Sequence, residues 1–421
     1  MPEPDPAAES AFQAAVRADL SRNYLAHLAH GLFGQTGMRL VNAPTFVPAY
    51  VFTLAGSDLA VGVARALQYF GMFLSPIFGA TLIEHRRRVL PVGLLVGALM
   101  RLTILGLALG GLLLPAPWPL FTAWAFLLLF GVFLGIQGVV FNFLVAKVIP
   151  TEKRGFLMGL RNALAGATAF AVSLYAGGTL IEADALGNGY AATFLLAFSL
   201  TSFGLAMLLF VREPQSPEVR RSVPVRERLR DLPDLLRSDP GFTRYFVARA
   251  LAVMGRMAVP FYVIYAQSHM EIGGARLGVL TGAFVLAQSV ANLGWGIVAD
   301  RRGFRLVYLA ALSLWIFAAL LLMRIESFGW LVVVYTGLGA GVGGYQMSAQ
   351  NLVLEFGSRR NLPLRIAVAN SASELVAAFG ALLGGVLATL TSHIVVFWTA
   401  IAFQLAGLAM VALWVDDPRH R

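Results

Sequence analysis

The chain has 421 residues, of which 58% are apolar and 13% carry a formal charge. Soluble domains carry about 25% charged and about 45–50% apolar residues, so the composition argues against a water-soluble enzyme. Basic residues outnumber acids 32 to 22, for a net charge of +10. In so apolar a chain this excess first raises the question of which side of a bilayer it faces, and it is not read as a nucleic-acid footprint. Cysteine is absent, which excludes disulfides, thiolate metal sites and cysteine nucleophiles.

Taken in order, residues 1–22 read as a cytoplasmic tail. The acidic, polar start MPEPDPAAES lacks the basic flank and short apolar core of a signal peptide. Twelve apolar runs follow, at 24–44, 60–82, 89–114, 118–146, 156–180, 190–211, 243–267, 277–298, 305–323, 328–352, 364–389 and 394–414. Each is close to the ~20 residues that a helix needs to cross ~30 Å of hydrocarbon. The expected fold is an all-α integral membrane protein of twelve transmembrane helices in two pseudo-symmetric six-helix bundles. The bundles are 23–211 and 242–415, with a short cytoplasmic tail at 416–421.

Orientation follows from the basic residues. The even-numbered loops and the termini carry 24 of the 32, and the odd-numbered loops carry two, Arg276 and Arg324. Positive residues stay inside, so both termini are expected in the cytoplasm. The longest polar stretch, 212–241, joins the halves. It contains an Arg/Leu-rich piece, VRERLRDLPDLLRS, which reads either as an amphipathic helix on the membrane surface or as a flexible linker.

Two such halves should show weak internal symmetry. A shift of 217 residues carries Arg39 onto Arg256 and Gly79 onto Gly296. The small-residue turns SLYAGG and GALLGG end at Gly178 and Gly385 in the fifth and eleventh runs. A sharper motif closes the eighth run, with Gly296, Asp300, Arg301, Gly303 and Arg305 in the sequence GIVADRRGFR. Gly296 suits close helix approach and Gly303 a tight turn. Asp300 could cap the next helix and pair with arginines. The first-half counterpart, GATLIEHRRR, keeps Glu84 and Arg88 but loses the second glycine. A Pro-x-Glu-x-Arg-Gly turn supplies Glu152 and Arg154.

The G-x-x-x-D-R-x-G-x-R pattern at this loop resembles the signature of the major facilitator superfamily. That resemblance implies a secondary transporter working by alternating access, with these residues as a cytoplasmic gate and no cofactor. The proline that proton-driven drug antiporters of the family place in helix five is replaced by Ser173-Leu174, which counts against drug export. The glycine run from Gly337 to Gly344 lacks the Lys-Ser/Thr of a phosphate loop and reads as close helix packing.

Ionisable groups within hydrocarbon mark function by default. Glu374 is the one acid placed deep in a run, and Arg39, Arg101 and Arg256 are the deep bases; Arg65, Arg161 and Arg249 fall nearer the interfaces. Arg39 and Arg256 hold equivalent places in runs one and seven. Two guanidiniums facing one cavity could clamp a carboxylate or phosphate, an arrangement that resembles the family's organophosphate antiporters. Either arginine could instead pair with Glu374 or with helix-end carbonyls. Glu374 reads as a proton-coupling site or as half of a permanent salt bridge. The expected substrate site comprises Arg39, Arg256, Gln35, Asn42, Arg101, Gln137, Tyr262, Gln346 and Asn370. His27 and His30 are expected at the membrane interface, and Pro44, Pro48 and Pro260 to kink runs one and seven.

The leading expectation is a monomeric, proton-coupled or exchange-type transporter of a small organic anion in a bacterial inner membrane. Efflux of amphipathic drugs or lipid flipping is the second reading. A non-transporting sensor or assembly factor is the third. No catalytic triad, metal-ligand set or cofactor fingerprint supports an enzyme.

Overall fold

The computed structural model describes residues 6–217, 236–237, 239–356 and 362–415. Among them regular structure is helical throughout. The helices are α1 (Pro6–Ala18), α2 (Leu20–Asn42), α3 (Phe46–Ala55), α4 (Asp58–Ile83), α5 (Leu90–Leu113), α6 (Trp118–Val148), α7 (Thr151–Tyr175) and α8 (Gly189–Met207) in the first half. The second half holds α9 (Pro240–Val253), α10 (Phe261–Gln267), α11 (Gly274–Arg302), α12 (Phe304–Leu322), α13 (Phe328–Leu352), α14 (Leu362–Leu390) and α15 (His393–Trp414).

Eleven segments among the described residues are long and apolar enough to cross a membrane. The pair α2 and α3 is not counted with them. Its first helix carries Arg22, His27, His30 and Arg39, and its second has ten residues. Local chemistry sets the helix starts. Ser57, Asn188, Asp239, Ser327 and Ser392 precede helices, and each accepts a hydrogen bond from the backbone N–H three residues on. Each thereby satisfies a donor that the first turn leaves unpaired. Gly56 ends α3 at φ 57°, and Gly303 turns between α11 and α12 at φ 88°, conformations that a side chain disfavours.

Runs one and seven are not continuous helices. The first extends from Leu20, breaks at Ala43–Pro44–Thr45 and resumes at Phe46. The seventh tightens into a 3₁₀ turn at Met254–Met257 before Pro260 leads into α10. Pro44 and Pro260 lack the N–H that a continuing helix needs, while Pro48 sits in the first turn of α3, where that lack is harmless. Run five ends in a π-helical turn, Ala176–Ile181. The longer first helix also corrects the placement of His27 and His30. They lie seven and ten residues inside α2 and are buried, packed on the Phe141 ring with Arg161. The amphipathic linker reading falls outside the described residues apart from Leu236 and Arg237, as does the tail 416–421.

Within the first half α4 packs on α6, α2 on α8 and α5 on both α6 and α8; within the second, α13 packs on α11 and α12, and α9 on α15. The halves are joined chiefly by α4 with α14 and by α7 and the turn after it with α11; α3 also touches α10. Glycine permits the closest approaches. A Cβ on Gly62 would come within 2.7 Å of the Ala381 carbonyl and of Gly385 Cα, and one on Gly177 within 2.6 Å of Gly278 Cα. The glycines of α13 also pack closely: a Cβ on Gly341 would meet Trp315 N at 2.7 Å. Thr45 and Thr281 hydroxyls lie 2.6 Å apart, and Glu182 accepts from Ala275 N at 2.9 Å. These cross-half contacts lie on the side of the molecule away from the Arg86–Arg88 and Arg301–Arg302 loops.

Candidate functional site

A cavity of about 290 Å³ lies where the broken helices α2 and α9 face α4, α11 and α13. Arg39, Arg65 and Arg256 line it, with Asn42, Gln68, Gln288 and Gln346 as neutral polar groups. Tyr69, Met72, Phe284 and Trp315 supply an apolar and aromatic wall. Both halves of the chain contribute.

The three arginines are held differently. Arg39, three residues before the end of α2, donates from Nη1 to Ser289 Oγ on α11 at 2.6 Å. Arg65 is buried and donates to Gln68 Oε1 at 2.7 Å and to the Ala43 carbonyl at 2.9 Å. That second bond satisfies an acceptor exposed by the break in helix one. Gln68 passes the network on, donating to Asn42 Oδ1 at 2.9 Å. Arg256 sits in the 3₁₀ turn, donates to Glu374 Oε1 at 3.1 Å, and lies 4.0 Å above the Tyr69 ring. Glu374 Oε2 is buried without a partner. A planar guanidinium can hold a carboxylate and stack on an aromatic face together, which an ammonium cannot match. Neither Arg39 nor Arg65 forms an ion pair among the described residues, so the wall carries more positive than negative charge.

Of the residues expected at the site, Arg39, Arg256, Asn42 and Gln346 line this cavity. Gln346 also accepts from Gln288 at 3.5 Å. Gln35, Arg101, Gln137, Tyr262 and Asn370 are not among its lining residues. Arg101 is buried and donates to the carbonyls of Thr201 and Gly97 at 2.6 and 2.7 Å, with Gln137 at 3.4 Å. Tyr262 accepts from Trp315 at 3.1 Å, and Asn370 accepts from Arg249 at 2.9 Å. Apart from Gln35, whose Oε1 is buried without a partner among the described residues, these polar groups are met by protein side chains or backbone carbonyls. Sequence reasoning missed Arg65, Gln68, Tyr69, Ser289 and Trp315. A signal for the first three was present, because Arg65, Gln68 and Tyr69 stand three and four residues apart on an otherwise apolar run and therefore share one helix face.

The gate motifs are placed unevenly. Gly303 adopts the positive-φ turn. Arg305 donates to the carbonyls of Val415, Ala412 and Val411 at 2.8, 2.8 and 3.3 Å, closing the C-terminus of α15. Arg154 caps α6 in the same way through Ile149 O at 2.7 Å and Ala146 O. Gly79 packs closely, since its Cβ would meet the Ile136 carbonyl at 3.0 Å, whereas one on Gly296 would meet open space. Asp300, Arg301, Arg88 and Glu152 are exposed, and Glu84 follows the last turn of α4. No side chain caps the start of α12, so Asp300 does not cap it here. In the first half a helix end is held by an unforeseen residue of opposite charge, Glu213. It accepts from Val89 N and Leu90 N at the start of α5 and pairs with Lys147 at 2.7 Å.

These features define a polytopic helical membrane protein organised around an internal, cation-rich cavity. The chain belongs to the Major Facilitator Superfamily, whose family model matches residues 28–264 and 245–421. It is similar to the Multidrug resistance protein D of Escherichia coli (strain K12), with 26% identity over 182 residues. That match spans 41% of this chain and 46% of the relative, so the chain matches about half the length of this curated relative. Among solved structures, a POT family transporter in complex with 5-aminolevulinic acid superposes with a TM-score of 0.70 at 11% identity, covering 94% of this chain and 96% of the other. A D-xylose-proton symporter gives a TM-score of 0.69 at 13% identity, covering 95% and 99%. At such identities the likeness is one of fold. Membership of this superfamily marks the chain as a transporter relative and not an enzyme.

Proposed function

We propose that the chain is a secondary transporter that moves a small organic anion across a bacterial inner membrane by alternating access, without a cofactor. In this reading α2 and α3 together form the first of twelve spans, two six-helix bundles pack around the cavity, and the basic loops and both termini are cytoplasmic. The cross-half contacts then close the outer face, and the arrangement is the inward-facing state. The monomer is the working unit.

The observation that carries the anion is the convergence of Arg39, Arg65 and Arg256 on one cavity. Arg256 has a carboxylate partner, Glu374, and the other two have none among the described residues. Guanidiniums in a partly dry cavity favour a carboxylate or phosphate ligand over water. A substrate carboxylate reaching Arg256 competes with Glu374 for it, and a displaced Glu374 becomes free to take a proton. This supplies coupling by proton or by exchange. At about 290 Å³ the cavity is just below the ~300–1,000 Å³ range of small-molecule sites, which suits a small solute.

The test is a thermal-shift screen of organic anions, cations and lipids on purified protein. An anion class should stabilise the wild type, and Arg39→Ala and Arg256→Ala should each remove that response while the proteins stay folded. Both variants responding as wild type does would end the clamp reading. Efflux of amphipathic compounds is the second reading, favoured by the name of the Escherichia coli relative and by the aromatic wall. Stabilisation by lipophilic cations and not by anions would select it.

A further inference from the structure

A further side-chain contact, the one ion pair there among the described residues, ties the two halves together at the face away from the basic loops. Asp58 is the first residue of α4 and His393 the first of α15, and Asp58 Oδ1 lies 2.9 Å from His393 Nε2. The side chains keep 17% and 18% of their exposure, so the pair is sheltered yet reachable by protons. The imidazole faces the rings of Phe261 and Tyr265 on α10, with centroids 6.0 and 6.2 Å away. The other titratable groups around it are the Tyr265 phenol and His269. The His269 ring lies 4.2 Å from Tyr265, and its Nδ1 is 2.9 Å from the Tyr265 carbonyl. Asp58 is the carboxylate in contact with His393 among the described residues.

Just inward of this pair the backbones of α4 and α14 meet at Gly62 and Gly385. α4 cannot separate from the second half at this end without parting Asp58 from His393. Histidine is the side chain whose ordinary charge change falls between about pH 5 and 8. A charged imidazolium adds ion-pair attraction to the hydrogen bond that a neutral imidazole can still donate to a carboxylate.

We propose that Asp58 and His393 form a proton-sensitive latch on the outer mouth of the transporter. With the imidazole protonated, the ion pair holds the halves together and keeps the cavity facing inward. With the imidazole neutral, the carboxylate keeps a hydrogen bond but loses the opposite charge across it, and the outer mouth opens more readily. Acid outside therefore biases the resting carrier toward the inward-facing state. This rests on the alternating-access reading, but it is independent of which solute is carried.

The absence of cysteine allows a single reporter, Gln288→Cys on the cavity wall, to be read with a membrane-impermeant maleimide applied from either side of oriented vesicles. From the outer side, labelling should be up to about fivefold faster at about pH 8 than at about pH 5.5, the factor expected when a carboxylate keeps its hydrogen bond but loses the imidazolium's attraction. In Asp58→Asn and in His393→Gln, labelling should be fast at both pH values. The exchanged pair Asp58→His with His393→Asp should restore the pH response. Retained labelling from the inner side shows that a variant is folded. Persistence of the pH response in both single variants, or single variants that label no faster than the parent at low pH, overturns the latch. Labelling from the inner side alone, in every variant and at both pH values, overturns alternating access itself.

Discussion

Arg256 and Glu374, 118 residues apart in sequence, meet at 3.1 Å with the Arg256 guanidinium resting 4.0 Å above Tyr69. The pair sits beside the cavity with less than a quarter of either side chain exposed. Its members have different jobs in the proposed cycle, one binding the anion and the other giving way to it.

That difference sets the first prediction. Glu374→Gln removes the internal competitor for Arg256, so anion affinity in a thermal-shift titration should rise by about three- to tenfold, or ~0.7–1.4 kcal/mol. Uphill accumulation in proteoliposomes should be lost while downhill exchange survives. A fall in affinity would show that Glu374 contributes to binding instead.

Arg101 tests the boundary between site and scaffold. Its guanidinium bonds two helix carbonyls and Gln137 and lies outside the cavity wall. Arg101→Leu leaves those buried acceptors unpaired and should cost about 2–3 kcal/mol of stability. The ligand-induced shift should keep its wild-type size. A variant that melts normally but loses the ligand response would place Arg101 in the site.

The glycine contact between the halves predicts a conformational bias. Gly62→Ala puts a methyl group 2.7 Å from backbone atoms of α14, too close for either helix to yield cheaply. The variant should populate an outward-open state, seen as faster labelling of a cavity cysteine from the outer side. Gly138→Ala is the control, because its Cβ would meet open space and should change nothing.

The motif loop separates two residues that look alike in sequence. Arg305→Ala removes bonds to three carbonyls at the end of α15 and should lower stability by about 1–2 kcal/mol. Asp300→Asn alters an exposed group with no ion pair among the described residues and should shift melting by less than about 0.5 kcal/mol. Equal losses in the two variants would contradict these contacts.

Much of this was legible in the sequence, because bilayer thickness writes itself into run length and basic loops into spacing. Arg39 and Arg256 were found because an arginine in mid-run has few explanations. Arg65 was passed over because its distance from the end of its own run placed it near an interface. The depth of a residue depends on its neighbours as well, and here the break after Asn42 brings the free Ala43 carbonyl to Arg65. Conversely, Arg101, Gln137 and Asn370 are as polar and as deep as any cavity residue. A sequence shows that a buried polar group needs a partner, but not whether the partner is a ligand or the next helix. The linker helix suggested by Arg/Leu spacing lies outside the described residues.

The breaks at Ala43–Pro44–Thr45 and at Met254–Pro260 adjoin Arg39 and Arg256. In the proposed cycle a joint and a ligating group thus share one address in each half of the chain. Whatever pulls on either guanidinium pulls on the joint beside it, with no intervening relay of side chains. In mechanical language, the fulcrum and the handle are the same piece.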